Sequence, residues 1–285
     1  MPFSSRRLAT ANGPTIHVAS AGSASNAIVF LHGVGRRWPT FLPLVPVLAE
    51  RWRIHGVDFR GHGESDRADR YLVADYFADA LEVVKQLAER PVVLYGHSLG
   101  ALVAAMVAAE LPHCVRAVVL EDPPSPGFLD NLHQTVYQST FRIMQANAGP
   151  TDASINIVSG RLADSVVERP DGSTIRFGEL RDAVSLRFAA RCLRDVDPAV
   201  YDPLLQGRWL EGLHWWERVS AIRGPALLLH GDVTAGGMLP LPDAAELSRR
   251  IPDLTAMHLA GAGHVLHWQS TAAVANHLTA FLESL

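Results

Sequence analysis

Residues Leu94–Ala105 read LYGHSLGALVAA. An apolar, β-rich run passes into Gly-His-Ser-Leu-Gly and then, without a spacer, into a row of small residues. A strand that enters a helix through Gly-x-Ser-x-Gly holds its serine at the tip of a strained turn. Gly96 and Gly100 remove side chains that would collide with the neighbouring strand and helix. Ala101, Ala104 and Ala105 let that helix lie close to a sheet. Its N-terminus then points free N–H groups and the positive end of its dipole at the hydroxyl. The pattern makes Ser98 a candidate nucleophile.

Other apolar runs have the same form as the one before Ser98. Ala27–Gly33 (AIVFLHG), Val115–Asp122 (VRAVVLED) and Pro225–Asp232 (PALLLHGD) read as buried strands. Trp52–Phe59 is a less apolar fifth, and Thr255–His264 a sixth. Helical patterns lie between them: FLPLVPVLAERW, YLVADYFADALEVVKQLAE, ALVAAMVAAEL, PDAAELSRRI and AAVANHLTAFLESL. Strands alternating with helices predict an α/β fold, a mostly parallel sheet covered on both faces. From about Pro123 to Val219 no buried strand is evident. The expected organisation is therefore a core formed by residues 1–123 and 220–285, with residues 124–219 inserted as a helical cap.

The bulk numbers exclude several functions. The 285 residues are 48% hydrophobic and 19% charged, enough to bury a sizeable core. A net charge of −4 and a pI near 6.3, with no basic stripe, give no footprint for nucleic acid. The two cysteines, Cys114 and Cys192, form no CxxC, so neither a cysteine-built zinc site nor a disulfide framework is expected. MPFSSRRLATANG has no apolar core of the secretory kind, and the nearly apolar run Leu99–Ala109 is too short to span a bilayer. A soluble, cytoplasmic protein without membrane partners is expected; oligomeric state is not readable.

LHGVG (Leu31–Gly35), DFRGHGES (Asp58–Ser65), GHSLG (Gly96–Gly100) and GAGHVLHW (Gly261–Trp268) together resemble the α/β-hydrolase fold superfamily over nearly the whole chain outside the expected cap. The resemblance implies a Ser-acid-His triad in that chain order. It places the base at His264, with His267 and His258 as competitors. His62 and Asp58 receive no catalytic role. An oxyanion needs backbone donors already in place, and the N–H groups of Leu99 and Val34 are the candidates.

The acid departs from the commonest pattern of the superfamily. In the loop HGDVTAGGMLP (His230–Pro240), the residue three beyond Gly231 is Thr234, which carries no charge. The superfamily's second solution puts the acid after the strand that precedes the cap, where VVLEDPPSPG offers Asp122 beside Glu121. Neighbouring residues on a strand face opposite ways, so one of the two should reach the site. Asp122 is preferred, and Asp232 and Glu121 stay open.

The resemblance implies a hydrolase acting on a small-molecule carboxylic ester or lactone through an acyl-enzyme, with no metal and no organic cofactor. Aromatic residues of the expected cap (Phe128, Tyr137, Phe141, Phe177, Phe188, Trp209, Trp215, Trp216) suit an apolar substrate or simply the cap's own core. Trp38 and Trp268 flank the oxyanion and histidine loops and are candidate substrate contacts. The same triad types also serve cofactor-free oxygenases, perhydrolases and small-molecule receptors, which remain alternatives.

Overall fold

Strand Val92–His97 is buried at every position, so both of its faces need apolar cover. The computed structural model, which describes residues 2–11, 13–149 and 153–285, places it near the middle of an eight-stranded sheet. In chain order the strands are Ser4–Leu8 (β1), Ile16–Ala21 (β2), Ala27–Leu31 (β3), Arg53–Val57 (β4), Val92–His97 (β5) and Val115–Glu121 (β6). A two-stranded hairpin of Val166–Glu168 (β7) and Thr174–Arg176 (β8) stands apart, and Ala226–His230 (β9) and Leu254–His258 (β10) complete the sheet. The spatial order is β1-β2-β4-β3-β5-β6-β9-β10. β2 pairs antiparallel with both β1 and β4, and the remaining pairs are parallel.

The parallel strands carry the apolar runs. The antiparallel edge has no such signature: β1 is SSRRL, largely exposed and polar, and the sequence reading assigns no strand there. A second difference falls between residues 122 and 225, where the hairpin β7–β8 interrupts the helices. Its strands have three residues each, too few for an alternation to show, although Val167 is fully buried. Among the described residues no helix is long and apolar enough to cross a membrane.

Helix Leu99–Glu110 buries its first ten residues, so it is apolar on every side rather than amphipathic. It packs on β5, β6 and β3. Two glycines make the approach possible. A Cβ on Gly96 would collide with the Gly100 carbonyl, and one on Gly100 with the Leu31 carbonyl at the end of β3.

The loops after β3 and β4 are joined by two buried histidines. His32 donates from Nδ1 to its neighbour's carbonyl, Gly33 O (2.8 Å), and accepts the Phe59 N–H at Nε2 (3.0 Å). His62 donates from Nδ1 to Arg60 O (2.8 Å) and accepts the Gly35 N–H at Nε2 (3.0 Å). Each neutral ring is therefore both donor and acceptor, with its tautomer fixed. Burial pulls His32 down to about 4 and His62 down to about 3. Asp58 ties the same loops together by accepting the Trp38 N–H (2.8 Å), His17 Nδ1–H (3.0 Å) and the Glu64 N–H (3.2 Å).

Two predictions follow from these contacts. Gly100→Ala should cost about 3 kcal/mol or more, or prevent folding, because the obstacle is backbone. Gly160→Ala, in helix Ile155–Asp164 with no atom near its Cβ, should be neutral or stabilising by up to about 1 kcal/mol. Urea denaturation of the two variants reads the contrast. The second concerns pH. His32 and His62 are neutral in the fold but take up protons near pH 6.5 when unfolded, so the unfolded state binds more protons as pH falls. Their penalty is absent above about pH 7 and grows below 6.5, by about 1.4 kcal/mol per pH unit for each histidine. Between pH 6.5 and 5, His62→Gln should flatten the fall of unfolding free energy by about that amount; an unchanged slope would show that His62 is charged in the fold.

Candidate active site

Ser98 occupies the junction between β5 and helix Leu99–Glu110, at φ 57° and ψ −119°. Its N–H donates to Glu121 O (2.9 Å), which locks the turn to the end of β6. Asp122, the next residue after β6, sits at φ 44°. Ser98 and Asp122 are the only non-glycine residues with positive φ among the described residues. Such a backbone costs about 1–3 kcal/mol per residue and persists only where the surroundings impose it.

The left-handed turn carries the Asp122 side chain out of the alternation of β6. Its Oδ2 lies 2.6 Å from His264 Nδ1 and accepts the Met238 N–H (2.8 Å), while Oδ1 faces the Gly231 N–H at 3.4 Å. Asp122 is fully buried and His264 nearly so. The carboxylate thus fixes the ring with Nδ1 protonated and leaves Nε2 without a partner among the described residues. His264 lines a cavity of about 40 Å³ together with Ser98, Val34 and His97. No hydrogen bond joins Ser98 Oγ to His264 Nε2 in this structure. Val34 and Leu99 flank the serine, and among the described residues neither backbone N–H is engaged by another acceptor.

The other acidic candidates are committed elsewhere. Asp232 is solvent-accessible and binds His258 Nε2 (2.6 Å) and the Gly261 N–H (2.6 Å). Glu121 is fully buried, accepts the Tyr95 hydroxyl (2.7 Å) and the His267 N–H (3.0 Å), and lies 2.8 Å from His267 Nδ1. Burial opposes its ionisation, but His267 and the hydrogen bonds from His267 and Tyr95 outweigh that and hold it down at about 2. His267 Nε2 meets Thr40 Oγ1 (2.9 Å), so its ring is spent between two protein groups. Neither His258 nor His267 shares the cavity with Ser98. His97 sits between the two histidine pairs, its ring 4.7 Å from His264 and 5.1 Å from His267, with Nε2 donating to His264 O (2.9 Å). Burial drives its pKa far down, so it is neutral. Sequence reading gave His97 and Glu121–His267–Thr40 no part in holding the site; their pairing is long-range and leaves no local signal.

Trp38 does not line the Ser98 cavity. Its ring lies against Gly56 and 4.5 Å from Phe3, because Asp58 holds its N–H and turns it toward the antiparallel edge. Trp268 donates Nε1–H to Thr40 O (2.7 Å) and lines an adjoining cavity of about 110 Å³ with Arg36 and Arg181. Of the aromatic residues in the inserted segment, Tyr137 and Phe141 reach the Ser98 cavity. Phe128 and Phe177 line a larger one of about 530 Å³, and Trp209 and Trp215 are buried in the core.

The model of the alpha/beta hydrolase family matches residues 28–277. A 2-(acetamidomethylene)succinate hydrolase of Mesorhizobium japonicum is 28% identical over 281 residues, 95% of this chain and 92% of that protein. The crystal structure of E-2-(acetamidomethylene)succinate hydrolase superposes with a TM-score of 0.78 at 26% identity, covering 99% of this chain and all of that one. The enol-lactonase of Burkholderia xenovorans LB400 has the same fold, with a TM-score of 0.72 at 19% identity over 98% of this chain and all of that one. With a family match that spans both the serine turn and the histidine loop, this chain belongs to the alpha/beta hydrolase family.

Proposed function

We propose that this protein is a serine hydrolase that cleaves a small carboxylic ester or lactone through an acyl-enzyme. The observation that carries this reading is the coincidence of strain and geometry. Among the described residues, the two non-glycine residues at positive φ are a serine at a strand–helix turn and an aspartate bonded to the histidine beside that serine. Strain at two residues that flank one histidine of matching chemistry is the mark of a functional rather than a purely structural arrangement.

A serine hydroxyl is a poor nucleophile at neutral pH and needs a base. His264 Nε2 takes the proton of Ser98 Oγ as the oxygen attacks the acyl carbonyl. Asp122 holds the tautomer and stabilises the imidazolium that forms. The Val34 and Leu99 N–H groups receive the oxyanion. The imidazolium then protonates the leaving alkoxide as the carbon–oxygen bond breaks. Water, deprotonated by the same ring, releases the acid and restores the serine. Every step is served by groups of this chain, so the reading calls for no metal or organic cofactor. Residues 124–219 act as a cap, since Tyr137, Phe141 and Met144 close the cavity from above. The near full-length relative is a hydrolase by name, which favours hydrolysis over the oxygenase and receptor readings. We place the reaction in the cytoplasm on a small, freely diffusing substrate.

A fluorophosphonate should add once to the wild-type chain and not to Ser98→Ala, read by intact mass. Asp122→Asn should fold, because asparagine tolerates left-handed backbone. It should nevertheless lose about 10⁴ in kcat on any ester the enzyme turns over, through the wrong histidine tautomer. Asp232→Asn should keep near-normal kcat. The reverse pattern would make Asp232 the acid, and a folded wild type that neither labels nor hydrolyses would sink the serine-hydrolase reading.

A further inference from the structure

Arg36 and Arg37 are neighbours in sequence with opposite fates. Arg37 is buried and ion-paired, to Glu64 (3.3 Å) and Asp195 (3.1 Å). Arg36 turns the other way, into the cavity that holds Ser98 and His264. Arg181, from the inserted segment, lines the same cavity, and the two arginines also share the adjoining cavity beside Trp268. Both are half-buried. Among the described residues no carboxylate lies within ion-pairing distance of either. Arg36 stacks over the Phe188 ring at 5.8 Å, and Arg181 donates to Leu180 O (3.3 Å). Among the described residues, no acidic side chain lines the cavity over Ser98. In the adjoining cavity the single carboxylate, Asp182, is spent on capping helix Ala183–Leu193 through the Val184 and Ser185 N–H groups and the Ser185 hydroxyl.

Two guanidinium groups brought together and partly dehydrated, with no counter-charge, are unfavourable by themselves. Burial and the like charge of Arg181 both pull the Arg36 guanidinium below its ordinary value. The arrangement becomes favourable when a planar oxyanion completes it, since each guanidinium presents paired donors that match a carboxylate. The cavity is small, and Arg36 lies two residues beyond Val34, whose N–H faces the reacting carbonyl in the mechanism above. We infer that Arg36 and Arg181 form a carboxylate subsite, and that the substrate is a short acyl compound bearing a free carboxylate, such as the half-ester of a small dicarboxylic acid. This assignment rests on Ser98 as the nucleophile and adds the specificity of the same site. It also narrows the apolar substrate that the aromatic residues alone would suggest.

The test compares kcat/KM for mono-4-nitrophenyl glutarate with that for the uncharged 4-nitrophenyl butyrate. The wild type should prefer the half-ester by tenfold or more. Arg36→Met and Arg181→Met should each lower that ratio by about ten- to a hundredfold, the worth of a charge-assisted hydrogen bond, and Arg36→Lys should restore part of it. A wild-type ratio near one overturns the subsite, as do equal losses on both esters, which would assign the arginines to the oxyanion instead. Calorimetric titration of Ser98→Ala with glutarate needs no turnover. Binding that disappears on adding Arg36→Met sustains the subsite, and absence of binding overturns it. If neither ester is cleaved and the fluorophosphonate does not label, it is the serine-hydrolase reading that fails, and the glutarate titration still decides the fate of the arginine pair.

Discussion

Helix Leu99–Glu110 touches the sheet at a separation that only hydrogen atoms at positions 96 and 100 allow. Everything at the site depends on that approach. Because the helix begins immediately at the strand end, the serine between them has no room for an ordinary backbone and is forced to φ 57°. The cost is met by the wholly apolar helix beneath it, ten of whose residues are buried between three strands and the helices Val73–Leu87 and Trp215–Val219. A local conformation that is unfavourable by a few kcal/mol is stable when the surrounding core over-determines it. The same closeness aims the helix N-terminus at the hydroxyl, so strain and electrostatics come from one packing decision.

Two buried carboxylate–histidine pairs stand side by side at the ends of β5 and β6, built from adjacent acids and from histidines three residues apart. What separates them is the second ring nitrogen. In Glu121–His267 it is bonded to Thr40, so the ring is a rigid strut that joins β6 to the loop after β3. In Asp122–His264 it is free at the cavity beside Ser98. The division follows from one backbone angle. Had residue 122 continued the strand, its side chain would have pointed opposite to Glu121 and away from the histidine loop. Its left-handed turn brings both acids onto histidines, and neutral His97 lies between the two rings without adding charge.

The parallel strands and the serine turn were legible because each is a local pattern: an apolar run of strand length, or five residues of defined chemistry. His264 and the pair Glu121–Asp122 came into view through the resemblance and the chain order it implies, not from a local pattern of their own. What could not be read is where distant groups meet. Trp38 flanks the oxyanion loop in sequence, yet Asp58 holds its N–H and Gly56 opens a place for its ring on another face. His62 received no catalytic role, and the structure makes it and His32 neutral braces, each bonded to a residue 27 positions away. β1 carries no apolar signal, being an exposed polar edge, and β7 and β8 are too short for any period to appear.

The charge distribution obeys a single rule across these loops. Among the described residues, each deeply buried guanidinium or carboxylate at these loops has its partner in the chain: Arg37 with Glu64 and Asp195, Arg60 with Asp79, Glu121 bonded to His267 and Asp122 bonded to His264. His32, His62 and His97, which bond no carboxylate, are kept neutral by burial. Desolvation explains both behaviours, since a charge removed from water must be paired or discharged. Arg36 and Arg181 follow neither course. A guanidinium stays protonated at any physiological pH, so discharge is closed to it. Being half-buried, both keep some contact with water, and the proposed substrate carboxylate is the partner that would replace that water.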